Sequence, residues 1–209
     1  MNPFFRRLAL SLGVVLLAAE AAAAQSEAFS VSSPAVSGEP QVGFHSGLVS
    51  SGQIDPAYAA KDGGPANLIS FPFSWRNLPD GTKAIALILD DPDAAAVMEA
   101  YGRKGAPFDH WLAADINPAL GGLTANASVS NPSFAQGKNG AGQVGYRGPQ
   151  PPAAIPKNVK PPLIHIYRLT LYALSAPTGL QNGFSLAELK AAMEGKILGQ
   201  AQLLLSYNN

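Results

Sequence analysis

Hydrophobic and polar positions follow one another along this chain in short blocks broken by glycine and proline, and the blocks read mainly as strands. FSVSS (29–33), KAIALIL (83–89), WLAADI (111–116) and IHIYRLTLYAL (164–174) have the length and side chains of strands. The last is apolar on both faces apart from Arg168 and Thr170, which predicts a strand in the middle of a packed sheet. Alternation puts His165, Tyr167, Leu169 and Leu171 on one of its faces. Helical patterning gathers near the C-terminus. Ser185 and Glu188 have the spacing of a capping box, and Leu186, Leu189, Ala192 and Met193 form a stripe behind it. Gly195 interrupts that helix, and a second helix is expected from Ile197 to Ser206. AAAVMEAY predicts a short helix over 94–101. Between 116 and 164 the chain is rich in Gly, Pro and Asn, and loops longer than about 12–15 residues tend to be functional or disordered. Within it, PPAAIPKNVKPP (151–162) reads as an extended, polyproline-like excursion. These signals sum to a mostly β domain with C-terminal helices and long Gly/Pro-rich loops.

The N-terminus departs from this pattern. Arg6 and Arg7 precede an apolar run from Leu8 to Ala19, and Ala22-Ala23-Ala24 has the small residues of a cleavage site. Residues 1–24 are therefore expected to be a cleaved secretory signal peptide, leaving 25–209 as a single domain in the periplasm or outside the cell. No later run is long enough to span a membrane. Charged residues make up 13% of the chain, against about 25% in ordinary soluble domains, and no basic stripe occurs. Nucleic acid is thereby set aside as a partner. There is no cysteine, which removes thiol nucleophiles, Cys-zinc sites and disulfides together.

Several catalytic and cofactor patterns fail on context. GAGQVG (140–145) matches G-x-G-x-x-G, but YRGPQPP follows it and cannot open the helix that would meet a pyrophosphate. Asp91 and Asp93 fit the first ligands of a calcium loop, whose later positions are here Ala95, Ala96 and Gly102. No G-x-S-x-G, S-x-x-K or H-E-x-x-H occurs. His110 and His165 with Asp91 or Asp93 are donor types that zinc or iron accepts, but 55 positions separate the histidines and their spacing gives no support. No cofactor and no metal is expected. His45, between glycines, reads as a loop residue, and Trp75 and Tyr172 as core. Asp90 and Asp109 acquire no role.

Taken in order, DPDA (91–94), HW (110–111), GKN with GYRGPQPP (137–152) and H-x-Y opening the strand that ends LYAL (165–174) resemble the phosphatidylethanolamine-binding protein family. Within it the nearest likeness is to the bacterial, Raf kinase inhibitor-like branch. FSVSSPA (29–35), FPFSWRNLPDGTKAIALIL (71–89) and AAMEGKILGQAQL (191–203) are also similar to that branch. The resemblance implies a β-sandwich with C-terminal helices near a small pocket for phosphate, phosphorylated head groups or small carboxylates. Carried onto this sequence, the ligand-binding residues are Asp91, His110, Gly148, Pro152, His165 and Tyr167. Asp93, Phe108 and Trp111 support them, Asp93 by shaping the turn. The chain departs from the pattern at Ala95, where proline is usual, and at Gly148-Pro149-Gln150. It also departs in the longer segment before His165 and in residues 61–70.

An aspartate beside a bound anion is intelligible if it accepts a hydrogen bond from an imidazole, fixes its tautomer and favours the charged ring, so that the histidines supply the positive charge. Backbone N–H groups of 137–148 are expected to complete an anion-binding nest. The implied partners are a small anionic ligand and, left open, a second copy of the chain in a homodimer. The alternative is a weak hydrolase or acid–base enzyme using Asp91, His110 and His165.

Overall fold

The computed structural model describes residues 27–60, 67–130, 133–152 and 163–208. The expected signal segment 1–24, residues 61–66 and residues 153–162 of the proline-rich excursion lie outside them. In chain order the elements are β1 (Ser30–Ser32), β2 (Val36–Ser37), β3 (Gln53–Ile54), β4 (Phe73–Arg76), β5 (Ala84–Asp91) and α1 (Ala94–Ala100). There follow β6 (Phe108–Ile116), β7 (Gly122–Leu123), α2 (Ala127–Ser130), β8 (Ala135–Gln136), β9 (His165–Leu174), α3 (Leu186–Met193) and β10 (Ile197–Tyr207).

The strands form two sheets. The smaller has the order β1-β4-β7, and the larger β2-β3-β10-β9-β5-β6-β8, antiparallel except where β10 meets β3. The face of the larger sheet that carries Leu87, Leu89, Trp111, Tyr167, Leu169, Leu203 and Leu205 packs with Phe71, Phe73 and Trp75 to make the main core. Its other face carries Ala84, Ala86, Ile88, Leu112 and Ala114, and α3 covers these with Leu189 and Met193. Fully burying an aliphatic or aromatic side chain contributes about 1.5–3 kcal/mol, so both layers contribute substantially. Strand β9 lies in the middle, between β10 and β5, as its two apolar faces predict.

The capping box forms: Ser185 Oγ accepts from Glu188 N at 3.2 Å, and Glu188 Oε2 accepts from Ser185 N at 2.7 Å. Gly195 then turns the chain at φ +71°. From that point the expectation of a second helix over 197–206 is wrong. The segment is β10, paired with β9 from Ile197↔Leu174 to Tyr207↔His165. Leu, Ala and Gln have good helix propensity, but an unpaired β9 edge in the middle of the molecule would leave a row of buried backbone groups without partners. The strand also satisfies the side chains. Ala201, Leu203 and Leu205 are buried while Gln200 and Gln202 are exposed, a period of two that a helix could not accommodate. Of the C-terminal helices, α3 alone is present.

Two other strands run further than the apolar blocks suggest. β5 continues through Asp90 and Asp91, and β6 begins at Phe108 rather than Trp111. The polar residues at these ends do not close a turn. They belong to the ladder and deliver side chains to its two faces.

Candidate functional site

Because β5 is regular at its end, consecutive aspartates point to opposite faces. Asp90 goes outward and meets Arg168 of β9 in a two-point contact, Oδ1 with Nε at 3.0 Å and Oδ2 with Nη2 at 2.6 Å. That pairing holds the guanidinium pKa above its ordinary value. Asp109 is the register partner of Asp90, and burial followed by the charge of Asp90 pushes its carboxyl pKa up. Both acids lie on the outer face of the sheet, away from the cavity described next.

Asp91 points inward. Its Oδ2 accepts from Nδ1 of His165 at 2.7 Å, and its Oδ1 accepts from Ala94 N, at the start of α1, at 3.1 Å. Both oxygens therefore have protein donors, and the aspartate orients the imidazole as the sequence suggests. His165 is 1% exposed, and Phe44 covers one side of the ring at 5.2 Å between centroids. Tyr167, two positions along β9, faces the same way as alternation requires.

His110 reaches the same cavity through an irregularity. Between β5 and β6, Leu89 pairs with Trp111 but Asp90 pairs with Asp109, so His110 is one residue in excess. Such a bulge breaks the alternation and re-aims a side chain. Phe108 and His110 consequently line the cavity while the adjacent Trp111 joins the main core on the same side of the sheet. His110 is held from two directions by one residue. Its carbonyl accepts from Arg147 N at 2.8 Å, and its Nδ1 bonds to Arg147 O at 2.7 Å. A carbonyl only accepts, so the ring hydrogen sits on Nδ1. Burial lowers the His110 pKa, against the opposing pull of Asp91, and this favours the neutral ring. Its centroid lies 4.8 Å from Phe108 and 5.0 Å from Tyr167.

These side chains enclose a cavity of about 180 Å³. Asp91, Phe108, His110, His165 and Tyr167 form its sheet side, and Arg147, Gln150, Pro151 and Pro152 close the loop side. Ala94, Val97 and Met98 of α1 make an apolar wall. Among the described residues, His165 Nε2 and the Tyr167 hydroxyl are the buried side-chain polar atoms with no protein partner. Burial, and secondarily Asp91, hold the phenol pKa far above its ordinary value, so Tyr167 keeps its hydrogen and can donate it.

The structure therefore brings together Asp91, Phe108, His110, Pro152, His165 and Tyr167. The other three residues named from the sequence stand behind them. Gly148 is absent from the cavity wall. Its N–H donates to Asn67 O at 2.7 Å, and a Cβ there would lie 2.5 Å from Tyr58 O, so glycine permits a close backbone approach. Trp111 is fully buried and donates from Nε1 to Gln136 Oε1 at 2.8 Å. Asp93 does not shape its own turn. It accepts from His45 N (2.8 Å), Ser46 N (2.6 Å), Ser46 Oγ (2.9 Å) and Ile166 N (2.9 Å), binding the 43–46 loop to β9.

The expected anion nest in 137–148 is also overturned. The amides of residues 137–143 and 145–148 donate within the protein, among them Lys138 to Phe184 O and Gly140 to Asp109 O. Sequence reasoning missed Arg147 and Pro151, although both fall inside GYRGPQPP, and had Gln150 only as a departure from the family pattern near the pocket rim. It also missed Ala94, Val97 and Met98, whose i, i+3, i+4 spacing in the expected helix was the available signal. Among the described residues, no group of three or more metal-ligating side chains is arranged to hold an ion. No described helix is long and apolar enough to cross a membrane.

Comparison with known proteins agrees with this architecture. Residues 46–208 match the model of the phosphatidylethanolamine-binding protein family. A UPF0098 protein of Methanothermobacter thermautotrophicus is 36% identical over 142 residues, covering 66% of this chain and 82% of the relative. The uncharacterized protein YxkA of Bacillus subtilis is 34% identical over 157 residues, covering 69% and 83%. Among solved structures, the phosphatidylethanolamine-binding protein homologue CT736 of Chlamydia trachomatis superposes with a TM-score of 0.65 at 27% identity, covering 87% of this chain and 98% of that one. YbcL of Escherichia coli, solved as a member of the same family, gives 0.66 at 22% identity with the same coverage, a likeness of fold. The sandwich, the ordered motifs and these matches together establish that the chain belongs to the phosphatidylethanolamine-binding protein family, in its bacterial branch.

Proposed function

We propose that this protein is exported and acts as a non-enzymatic binding protein whose cavity takes a small anion: phosphate, a phosphorylated head group or a small carboxylate. The observation that carries the reading is the convergence of two partnerless buried polar atoms, His165 Nε2 and Tyr167 Oη, in one cavity. A buried polar group without a partner costs about 1–3 kcal/mol, and a ligand that supplies the missing hydrogen bonds recovers it. His110 adds a third polar group and Arg147 a permanent positive charge on the loop side. The volume of about 180 Å³ is below the ~300–1,000 Å³ of drug-sized ligand sites, which suits a small head group. The apolar wall from α1 suits the short alkyl part of such a head group.

The hydrolase alternative rests on the Asp91–His165 hydrogen bond, which resembles the orienting half of a catalytic triad. No Ser or Thr lines the cavity among the described residues to serve as its nucleophile, which favours binding over turnover. Calorimetric titration of phosphate and phosphoethanolamine into the wild type and His165→Ala tests the proposal. The expected result is measurable binding that weakens at least about tenfold in the variant. Equal affinity in both would remove the cavity as the site. Ester hydrolysis by the wild type that disappears in His110→Ala would overturn the non-enzymatic part.

A further inference from the structure

The outer face of the larger sheet carries a second concavity, on the side away from His165, with a volume of about 600 Å³. Its floor follows from alternation. Arg168, Thr170 and Tyr172 are every second residue of β9, and register sets Gln202 beside Thr170 and Gln200 beside Tyr172 on β10. On the other flank Asp90 of β5 lies beside Arg168, and Asp109 of β6 beside Asp90. Leu186 and Lys190 of α3 supply one wall. Asp109 is the anomaly in this groove. Like charges directly opposite one another on neighbouring strands are destabilising, and Arg168 already pairs with Asp90. Among the described residues, the Asp109 carboxylate has no hydrogen bond and no ion pair, and Lys190 acts on it only at longer range. It is only partly exposed. An acceptor held at such a cost has use for a donor that the protein does not supply.

The rest of the lining narrows what brings that donor. Asp90 and Asp109 are matched by Arg168 and Lys190, so the groove has no net charge to attract an ion of either sign. The amides of Gln200 and Gln202 and the hydroxyls of Thr170 and Tyr172 both donate and accept. Gln202 Nε2 donates to Thr170 Oγ1 at 3.2 Å, which leaves Gln202 Oε1 to accept and the Thr170 hydroxyl hydrogen to donate. Tyr172 and Leu186 pack against the α3 layer and stay partly exposed, adding an apolar strip. A sugar unit matches on both counts. Its hydroxyls donate and accept, and its ring presents a face of C–H groups. We propose that this groove is a second binding site, for a neutral saccharide. Asp109 accepts from a sugar hydroxyl, the two glutamines exchange hydrogen bonds with others, and Tyr172 meets the C–H face. The volume lies within the ~300–1,000 Å³ of small-molecule sites and admits a short oligosaccharide. The site is independent of the anion reading of the His165 cavity.

The test is titration of the folded protein with maltotriose, cellotriose and N,N′-diacetylchitobiose, three neutral sugars, followed by backbone amide chemical shifts. At least one should bind with a Kd on the order of 1 mM or tighter. It should shift the amides of Thr170, Tyr172, Gln200 and Gln202 and leave those of α1, in the wall of the other cavity, in place. Asp109→Ala should weaken that sugar at least about tenfold. Its melting temperature should be unchanged or raised, because the variant removes one of two facing like charges. A lower melting temperature with sugar binding intact would assign Asp109 to the fold alone and overturn the proposal. Gln202→Ala, which alters an exposed side chain, should weaken the same sugar by about threefold or more, and it decides the matter if Asp109→Ala does not fold. No shift with any of the three sugars, shifts confined to α1, or binding of glycine in place of the sugars would each overturn the saccharide site.

Discussion

At the scale of single residues, two neighbouring aspartates show how much one step along a strand decides. Asp91 faces the cavity and orients His165, while Asp90 faces the other side and pairs with Arg168. Asp93 bears on stability most directly. Asp93→Ala would leave four donors of the 43–46 loop and β9 unsatisfied, so urea denaturation should show a loss of about 3 kcal/mol or more. His110 gives a pH dependence of definite sign. Its folded pKa is depressed, so the unfolded chain binds more protons as the pH falls below the ordinary imidazole value of 6.5. The denaturation midpoint should therefore drop through that range in the wild type, and drop less in His110→Gln. Alternation and motif order made Asp91, His165 and Tyr167 legible in the sequence. Arg147 was not, because it acts through its own backbone on a histidine 37 positions away.

At the scale of elements, the sequence was clear wherever period and propensity agreed, and misleading where they conflicted. β9 and the capped α3 belong to the first kind. β10 belongs to the second, since its composition favours a helix and only the Gln–Ala–Gln–Leu alternation speaks for a strand. The two readings differ in a measurable way. In a strand Leu203 and Leu205 are buried and Gln202 faces out, so Leu205→Ala should cost about 2–5 kcal/mol while Gln202→Ala should stay within roughly 0.5. Chemical denaturation of the two variants checks this, and similar losses in both would contradict the register. The nest expected in 137–148 failed for a related reason. Glycine-rich backbone bends sharply there, but its N–H groups are consumed in holding the bend.

At the scale of the whole molecule, a chain with little charge and no cysteine relies on two hydrophobic layers and a seven-stranded sheet. That is compatible with the export proposed above, since an oxidising compartment permits disulfides without requiring them. Expression of the full chain in a bacterium should place it in the periplasmic fraction, and mass spectrometry should find it shortened by the expected 24 residues. Retention of the intact chain in the cytoplasm would contradict export. The bulge at His110 carries one more consequence, for how such a protein can change over time. Because one surplus residue separates Phe108 and Asp109 from Trp111 and Ala113, the ladder on either side keeps its own parity. Side chains at the mouth can therefore be exchanged without re-phasing those that fill the sandwich. Ligand preference and foldedness can drift along the same strand as nearly independent traits.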